Sequence, residues 1–142
     1  MELYMLNKFL SVTYRLARRN LSKTVHNFGL SSTQADMLLY LADNPELNQK
    51  QLATAMVLDP SLIGRDISKL EDKNLVRRRI DPQDSRSRVL ILSQEGIKIV
   101  SVLRDKLTKW WKDNLGKFLD IPTEDFFQIM SEMYLSTKKE NN

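Results

Sequence analysis

The residues with the most chemistry in this chain are cationic. Arg77, Arg78, Arg79, Arg86 and Arg88 fall within one stretch, RRRIDPQDSRSRVLILS, at residues 77–93. A guanidinium stays charged and does no acid–base work. It offers a planar fork of N–H donors that matches phosphates and base edges. Just upstream, the segment DPSLIGRDISKLEDKN repeats this bias in helical register. At about 100° per residue, Ile63, Ile67 and Leu70 share one face, and Ser61, Gly64, Arg65, Ser68 and Lys69 share the opposite one. The second face has the composition a DNA major groove accepts. Short polar groups and a glycine allow close approach, and Arg65 and Lys69 are long enough to reach bases and phosphates. Leu62 sits at its edge, where it can meet a thymine methyl. The first turn of this helix is expected to aim free N–H groups at a phosphate.

Other chemistries find little support. The chain has 142 residues and no cysteine, which excludes disulfides, thiolate nucleophiles and cysteine metal sites. His26 is the single histidine, and the acids lack EF-hand spacing, so neither metal nor cofactor is expected. Glu124 and Asp125 adjoin at a helix start, where acids complement the helix dipole without any catalytic role. The chain reads as a non-enzyme. A net charge of +4 and a pI near 9.4 permit an anionic partner without requiring one. No apolar run reaches the roughly 18 residues of a membrane span. The N-terminus MELYMLNKFLSVTYRLARRN lacks a signal-peptide cleavage pattern, so the cytoplasm is the expected location and no membrane partner is expected.

The elements that must position these groups follow from periodicity and caps. Residues 3–27 predict a long helix with an apolar stripe through Leu3, Leu6, Leu10, Tyr14, Ala17 and Leu21. A second helix begins after Ser31, with Gln34 in capping-box position, and ends before Pro45. Asn48 caps a third helix, in which Leu52, Ala55 and Met56 face inward. Asp59 caps a fourth, with Pro60 at its first position and Asn74 as a left-handed terminator. Val76–Ile80 and Val89–Leu92 predict two short strands. A long helix runs from Ser93 to about Leu119, with Gly116 as a possible kink position. A last helix opens at Pro122 or Thr123 and ends near Thr137, leaving KKENN as a solvated tail. Two helices joined by a tight turn and followed by a hairpin make the element order of a winged helix-turn-helix. The fold class expected is mainly α with a small β-hairpin wing (α+β).

In this reading the hairpin packs an apolar face made of Ile80, Val89, Leu90, Ile91 and Leu92. Its polar tip carries Arg86, suited to the negative potential of a minor groove. Asp84 is expected to hold the Arg86 guanidinium by a bidentate pair. Arg77, Arg78, Arg79 and Arg88 line the base, where phosphates would pass.

These segments resemble the MarR family of bacterial transcriptional regulators. The resemblance is most specific in DPSLIGRDISKLEDKNLVRR and DPQDSRSRVLILSQEG, and it extends to the long flanking helices. It implies a dimeric regulator, by default a repressor, that reads a pseudo-palindromic double-stranded operator. The family's Asp-x-Arg of the wing falls on Asp84 and Arg86, and its recognition helix on 60–73. Asn48-Gln49 stands where Thr-Gln is common, so Gln49 is expected at the phosphate backbone. Ser85 replaces a usual basic residue, Asn74 a glycine, and Leu62 and Gly64 replace hydroxyl residues, so the family's base preference does not transfer.

The DNA-binding set is therefore Gln49, Pro60, Ser61, Leu62, Gly64, Arg65, Ser68, Lys69, Arg78, Asp84, Arg86 and Arg88. The terminal helices carry more apolar surface than a small head can cover. Leu3, Leu6, Leu10, Leu107, Trp111, Phe118, Phe127 and Met130 are thus expected to bury against a second copy as a homodimer. Residues 1–29 and 97–142 would serve dimerisation and residues 30–96 would form the DNA-binding lobe, within one compact domain. The resemblance also implies a pocket for a small anionic or aromatic effector, with Tyr14, Arg15, Arg18, Met37, Tyr40 and Trp110 as its candidates. Effector binding would favour a dimer mismatched to the half-site spacing. A protein-interaction module without specific DNA binding is the competing class.

Overall fold

The computed structural model describes residues 1–118 and 122–140, with the side chains of 116–118 and 140 outside that description. Six helices and two strands follow in the order α1 (Met5–Asn27), α2 (Ser32–Asp43), α3 (Gln49–Met56), α4 (Pro60–Asp72), β1 (Val76–Ile80), β2 (Arg88–Leu92), α5 (Gln94–Phe118) and α6 (Thr123–Glu140). This is the mainly helical α+β winged architecture expected.

Local chemistry sets most boundaries. Ser31 and Gln34 form a full capping box on α2, and Asn48 and Gln51 form another on α3. Asp59 caps α4 with Pro60 in the first turn. Asn74 takes φ 61° just beyond α4, a conformation its short polar side chain tolerates. The N-terminus differs from the periodicity, since α1 starts at Met5 and its preceding residue Tyr4 provides no side-chain cap, so Leu3 lies outside the helix. At the other end α6 runs to Glu140, and the KKE of the expected tail is helical, with Lys138 and Lys139 in the last turn, complementing the helix dipole. Ser93 lies just outside α5, its Oγ accepting from the Gly96 N–H. Leu119 falls outside the described residues.

The core gathers Leu21 and Val25 of α1, Met37, Leu38 and Leu41 of α2, Leu52 of α3, Ile63, Ile67 and Leu70 of α4, Val76, Leu90, and Val100 and Leu103 of α5. The recognition-type helix is thereby fixed on its inner side by carbon packing. The hairpin pairs antiparallel, Val76 opposite Leu92 and Ile80 opposite Arg88. An isolated bridge between Asn48 and Val89, and a bond from the Leu90 N–H to the Leu47 carbonyl, tie β2 to the segment before α3. The apolar face of the hairpin is smaller than expected. Ile80 is 54% exposed, because β1 leaves the core after Val76.

Gly96 permits the junction between wing and α5. A Cβ there would run into the Leu75 carbonyl oxygen, which also accepts from the Ser93 N–H. Among the described residues, no helix is long and apolar enough to cross a membrane.

Candidate nucleic-acid interface

Ser61, Leu62, Arg65, Ser68 and Lys69 project outward from α4 and are exposed, while Ile63, Asp66, Ile67 and Leu70 are buried beneath them. Arg86 is exposed at the tip of the wing and makes no ion pair among the described residues. The two features lie on one continuous surface. Gly64 of α4 abuts the side chain of Gln49, whose Oε1 accepts from Arg78 Nη2 at 3.3 Å. Gln49 and Arg78 in turn line a groove of about 350 Å³ with Lys50, Arg86 and Arg88.

The polar groups of this surface are braced differently from the sequence expectation. Asp84 does not hold the Arg86 guanidinium. Its Oδ1 accepts the Arg86 backbone N–H at 3.0 Å, a tight Asx-type turn that shapes the loop and leaves the guanidinium free. Arg88 turns back onto its own loop, Nη1 donating to the Ser85 and Ser87 carbonyls at 3.2 Å each. Arg78 is bound to Glu71 at 3.4 Å as well as to Gln49, and Arg79 pairs with Glu46. These two arginines hold the hairpin base to the helices rather than standing free for phosphates. The space above Gly64 is likewise taken by the Gln49 amide, 2.8 Å from where a Cβ would lie, so the glycine serves an internal fit.

The first turn of α4 does not offer free N–H groups to an anion. Asp59 Oδ1 accepts from the Ser61 N–H at 2.8 Å and the Leu62 N–H at 3.2 Å, and also from the Ser61 hydroxyl. That hydroxyl bond, followed by the two backbone bonds, holds the Asp59 carboxyl below its ordinary range. A charged carboxylate at this end satisfies the helix dipole and repels a phosphate.

The wheel had room for one residue it did not single out. Asp66 lies at the edge of the inner arc beside Leu70 and is 6% exposed, and its carboxylate accepts from Gln34 Nε2 at 2.9 Å. An acid on the apolar side of an amphipathic helix was the available signal. Its partner, Gln34, was read only as a cap.

The effector candidates do not converge. Met37 is fully buried in the core, so its surface is committed to packing. Tyr14 donates to Asp36 at 2.6 Å, and Arg18 stands 4.0 Å from the same carboxylate and 5.4 Å from the Tyr14 ring centre. Burial, then the bond to Asp36, pushes the Tyr14 hydroxyl up to about 12. Desolvation likewise raises Asp36, against the lowering effects of Tyr14 and Arg18. Arg15 donates to Ser11 of its own helix at 3.3 Å. Trp110 packs edge-to-face on Trp111 at 5.0 Å. Tyr40 instead faces Tyr134 and Lys138 of α6.

Several residues of the expected dimer set remain uncovered. Leu3, Leu6, Leu10 and Phe127 are exposed, Met130 and Trp111 are half-buried, and Leu107 packs partly against the core. The side chain of Phe118 lies outside the described residues.

A short turn between α3 and α4, an outward polar face on α4 and an arginine-tipped hairpin define a winged helix-turn-helix protein. The MarR family profile matches residues 30–87. Transcriptional regulator HosA from Escherichia coli is 29% identical over 104 residues, covering 73% of this chain and 77% of that protein. HTH-type transcriptional regulator SarZ from Staphylococcus epidermidis is 35% identical over 78 residues, which span 55% of this chain and only 53% of that protein. A MarR transcriptional regulator from Methanosarcina mazei Go1 superposes with a TM-score of 0.83 at 24% identity, covering 96% of this chain and 98% of the other. The S. aureus MepR–DNA complex superposes with a TM-score of 0.64 at 21% identity, covering 91% and 96%. The chain is thus similar to MarR-family regulators over residues 30–87, and its fold is theirs.

Proposed function

We propose that this chain is a cytoplasmic transcriptional repressor that binds a pseudo-palindromic duplex as a symmetric homodimer. The face of α4 from Ser61 to Lys69 enters the major groove, and Arg86 enters the adjacent minor groove. Residues 30–96 supply the DNA-binding lobe, and residues 1–29 and 97–142 the dimer contacts. A small anionic or aromatic effector releases the DNA by favouring a dimer with unsuitable spacing.

One observation carries the DNA reading. The free guanidinium of Arg86 and the outward face of α4 share a surface whose intervening groups, Gln49, Arg78 and Arg88, are already held by hydrogen bonds. Fixing those side chains in advance lowers the entropic cost of docking a duplex. The homodimer reading is supported by the exposed apolar residues of α1 and α6, Leu6, Phe9, Leu10, Phe127, Ile129 and Met133 among them.

The test is a salt titration of binding to random duplex, followed by selection of bound sequences from a random pool. Affinity should fall steeply with salt as counterions are released. The selected sites should show two-fold symmetry, with half-sites about one helical turn apart. Binding that is absent or indifferent to salt would instead favour the protein-interaction module.

A further inference from the structure

The Gln49 carboxamide is held in one orientation by contacts that cross three elements. Arg78 of β1 spans two partners with different nitrogens. Its Nε stands 3.4 Å from a carboxylate oxygen of Glu71 on α4, and its Nη2 donates to Gln49 Oε1 on α3 at 3.3 Å. A guanidinium can only donate, so the amide must turn its oxygen toward Arg78 and its nitrogen away. Gln49 Nε2 then lies over Gly64, 2.8 Å from where a Cβ would stand, and has no acceptor among the described residues. Gly64 and Glu71 are seven positions apart on α4, about two turns, and so share one strip of the helix. The glycine admits the amide at one end of that strip, and the acid at the other anchors the arginine that aims it.

Beside this amide runs the groove of about 350 Å³ between the start of α3 and the wing. Its charged lining residues are Lys50, Arg78, Arg86 and Arg88, and no acid occurs among the described residues that line it. When α4 occupies a major groove and Arg86 the neighbouring minor groove, the sugar–phosphate strand dividing them crosses the surface in between. This groove is that surface. Phosphate oxygens only accept hydrogen bonds. An amide free to flip would offer them its oxygen as readily as its nitrogen, whereas one locked by Arg78 offers only N–H. We infer that Glu71 and Arg78 are positioning residues, which fix Gln49 as a hydrogen-bond donor to the strand phosphate seated in this groove. Arg78 acts through Gln49 rather than by its own charge, which Glu71 offsets. The phosphate rests on the DNA-binding reading, and the locked amide does not.

The test follows the anisotropy of two labelled duplexes, one random in sequence and one selected for tight binding, titrated with the full chain over a range of salt. Gln49→Ala and Arg78→Lys should each weaken binding to both duplexes by about fivefold, as expected for one hydrogen bond. Lysine keeps the charge and a partner for Glu71, but it cannot reach two acceptors from separate nitrogens. Combining the two substitutions should weaken binding no further than either alone. The salt dependence should stay native in both, because the charge is unchanged. Glu71→Met unpairs the guanidinium and should steepen the logarithmic salt slope by about one. Native affinity in Arg78→Lys, additive losses in the double variant, or an unchanged slope in Glu71→Met overturns the relay. A loss confined to the selected duplex would make Gln49 a base reader and overturn the phosphate seat. Without DNA, the Gln49 side-chain amide resonance, assigned by its absence from Gln49→Ala, should move in Arg78→Lys and in Glu71→Met. A resonance indifferent to both also overturns the relay. A chain whose amide responds in this way but which binds neither duplex would sink the DNA reading and leave the locked amide standing.

Discussion

Among the described residues, Gln34 and Asp66 are the one pair of buried polar side chains that joins α2 to α4. Gln34 Nε2 donates to Asp66 Oδ1 at 2.9 Å, and the other end of the same amide, Oε1, accepts from the Ser31 N–H at 3.0 Å. The residues are 4% and 6% exposed. A single glutamine thus caps α2 and meets the acid beneath the outward face of α4. Substituting Gln34→Met removes the donor and leaves a buried carboxylate unmatched, which costs about 1–3 kcal/mol. Adding Asp66→Leu should recover part of that loss, because both partners are then apolar. Urea denaturation of the two variants checks this, and a neutral single variant would show that water satisfies the acid.

The wing prediction separates contact from scaffold. Arg86→Ala should weaken operator binding by about 1–3 kcal/mol and leave the melting temperature near native, since the guanidinium makes no ion pair among the described residues. Asp84→Ala should weaken binding as well, because it releases the Arg86 backbone rather than its side chain. Paired binding isotherms and thermal melts distinguish the two roles. A collapse of the melting temperature in Arg86→Ala would make that residue structural.

Two glycines should respond in opposite senses to alanine. At Gly96 the new Cβ meets a backbone carbonyl that cannot yield, so Gly96→Ala is expected to cost about 1–3 kcal/mol of stability. At Gly64 the obstacle is the mobile amide of Gln49, and alanine favours the helix by about 1 kcal/mol. Gly64→Ala should therefore keep or raise stability while shifting Gln49 off Arg78 and reducing DNA affinity. Equal destabilisation by both substitutions would contradict this contrast.

Asp36 should give a pH-dependent signature. Its folded-state pKa is raised above the ordinary 3.8, mainly by burial. The stability it contributes is therefore complete below that ordinary value and is lost as pH rises through the folded value. Asp36→Asn keeps an acceptor for Tyr14 and removes the charge. The melting temperature of the variant relative to the native protein should rise between pH 3 and pH 7, and a fall over that interval would reverse the assigned sign.

Leu10→Asp and Phe127→Asp place charge on residues that are 42% and 72% exposed in the single chain. If these surfaces bury against a second copy, each substitution shifts sedimentation toward the monomer and weakens binding to a two-half-site duplex. Helical content by circular dichroism should persist. An undisturbed dimer in both variants would move the interface elsewhere.

The order of elements, the caps at Ser31, Asn48 and Asp59, the left-handed Asn74 and the inward–outward split of α4 were all legible in the chain. Each depends on groups within a turn or two of one another, so short-range spacing carries the information. The fate of the charged side chains was not. Arg78 and Gln49 are 29 positions apart, and Arg79 and Glu46 are separated by 33. Nothing local tells a solvent-facing arginine from one that meets an acid brought in by another element.

The sequence by itself therefore determined that a helix with one polar face would be followed by an arginine-tipped hairpin, because backbone periodicity and capping are local physics. Only the tertiary structure decided which cations remain free. It spends Arg78, Arg79 and Arg18 on Glu71, Glu46 and Asp36, leaves Arg86 without a carboxylate among the described residues, and brings Tyr40 against Tyr134 and Lys138 from 94 and 98 positions away. Ion pairing and burial fall off within a few ångströms, and those distances are set by how the helices pack.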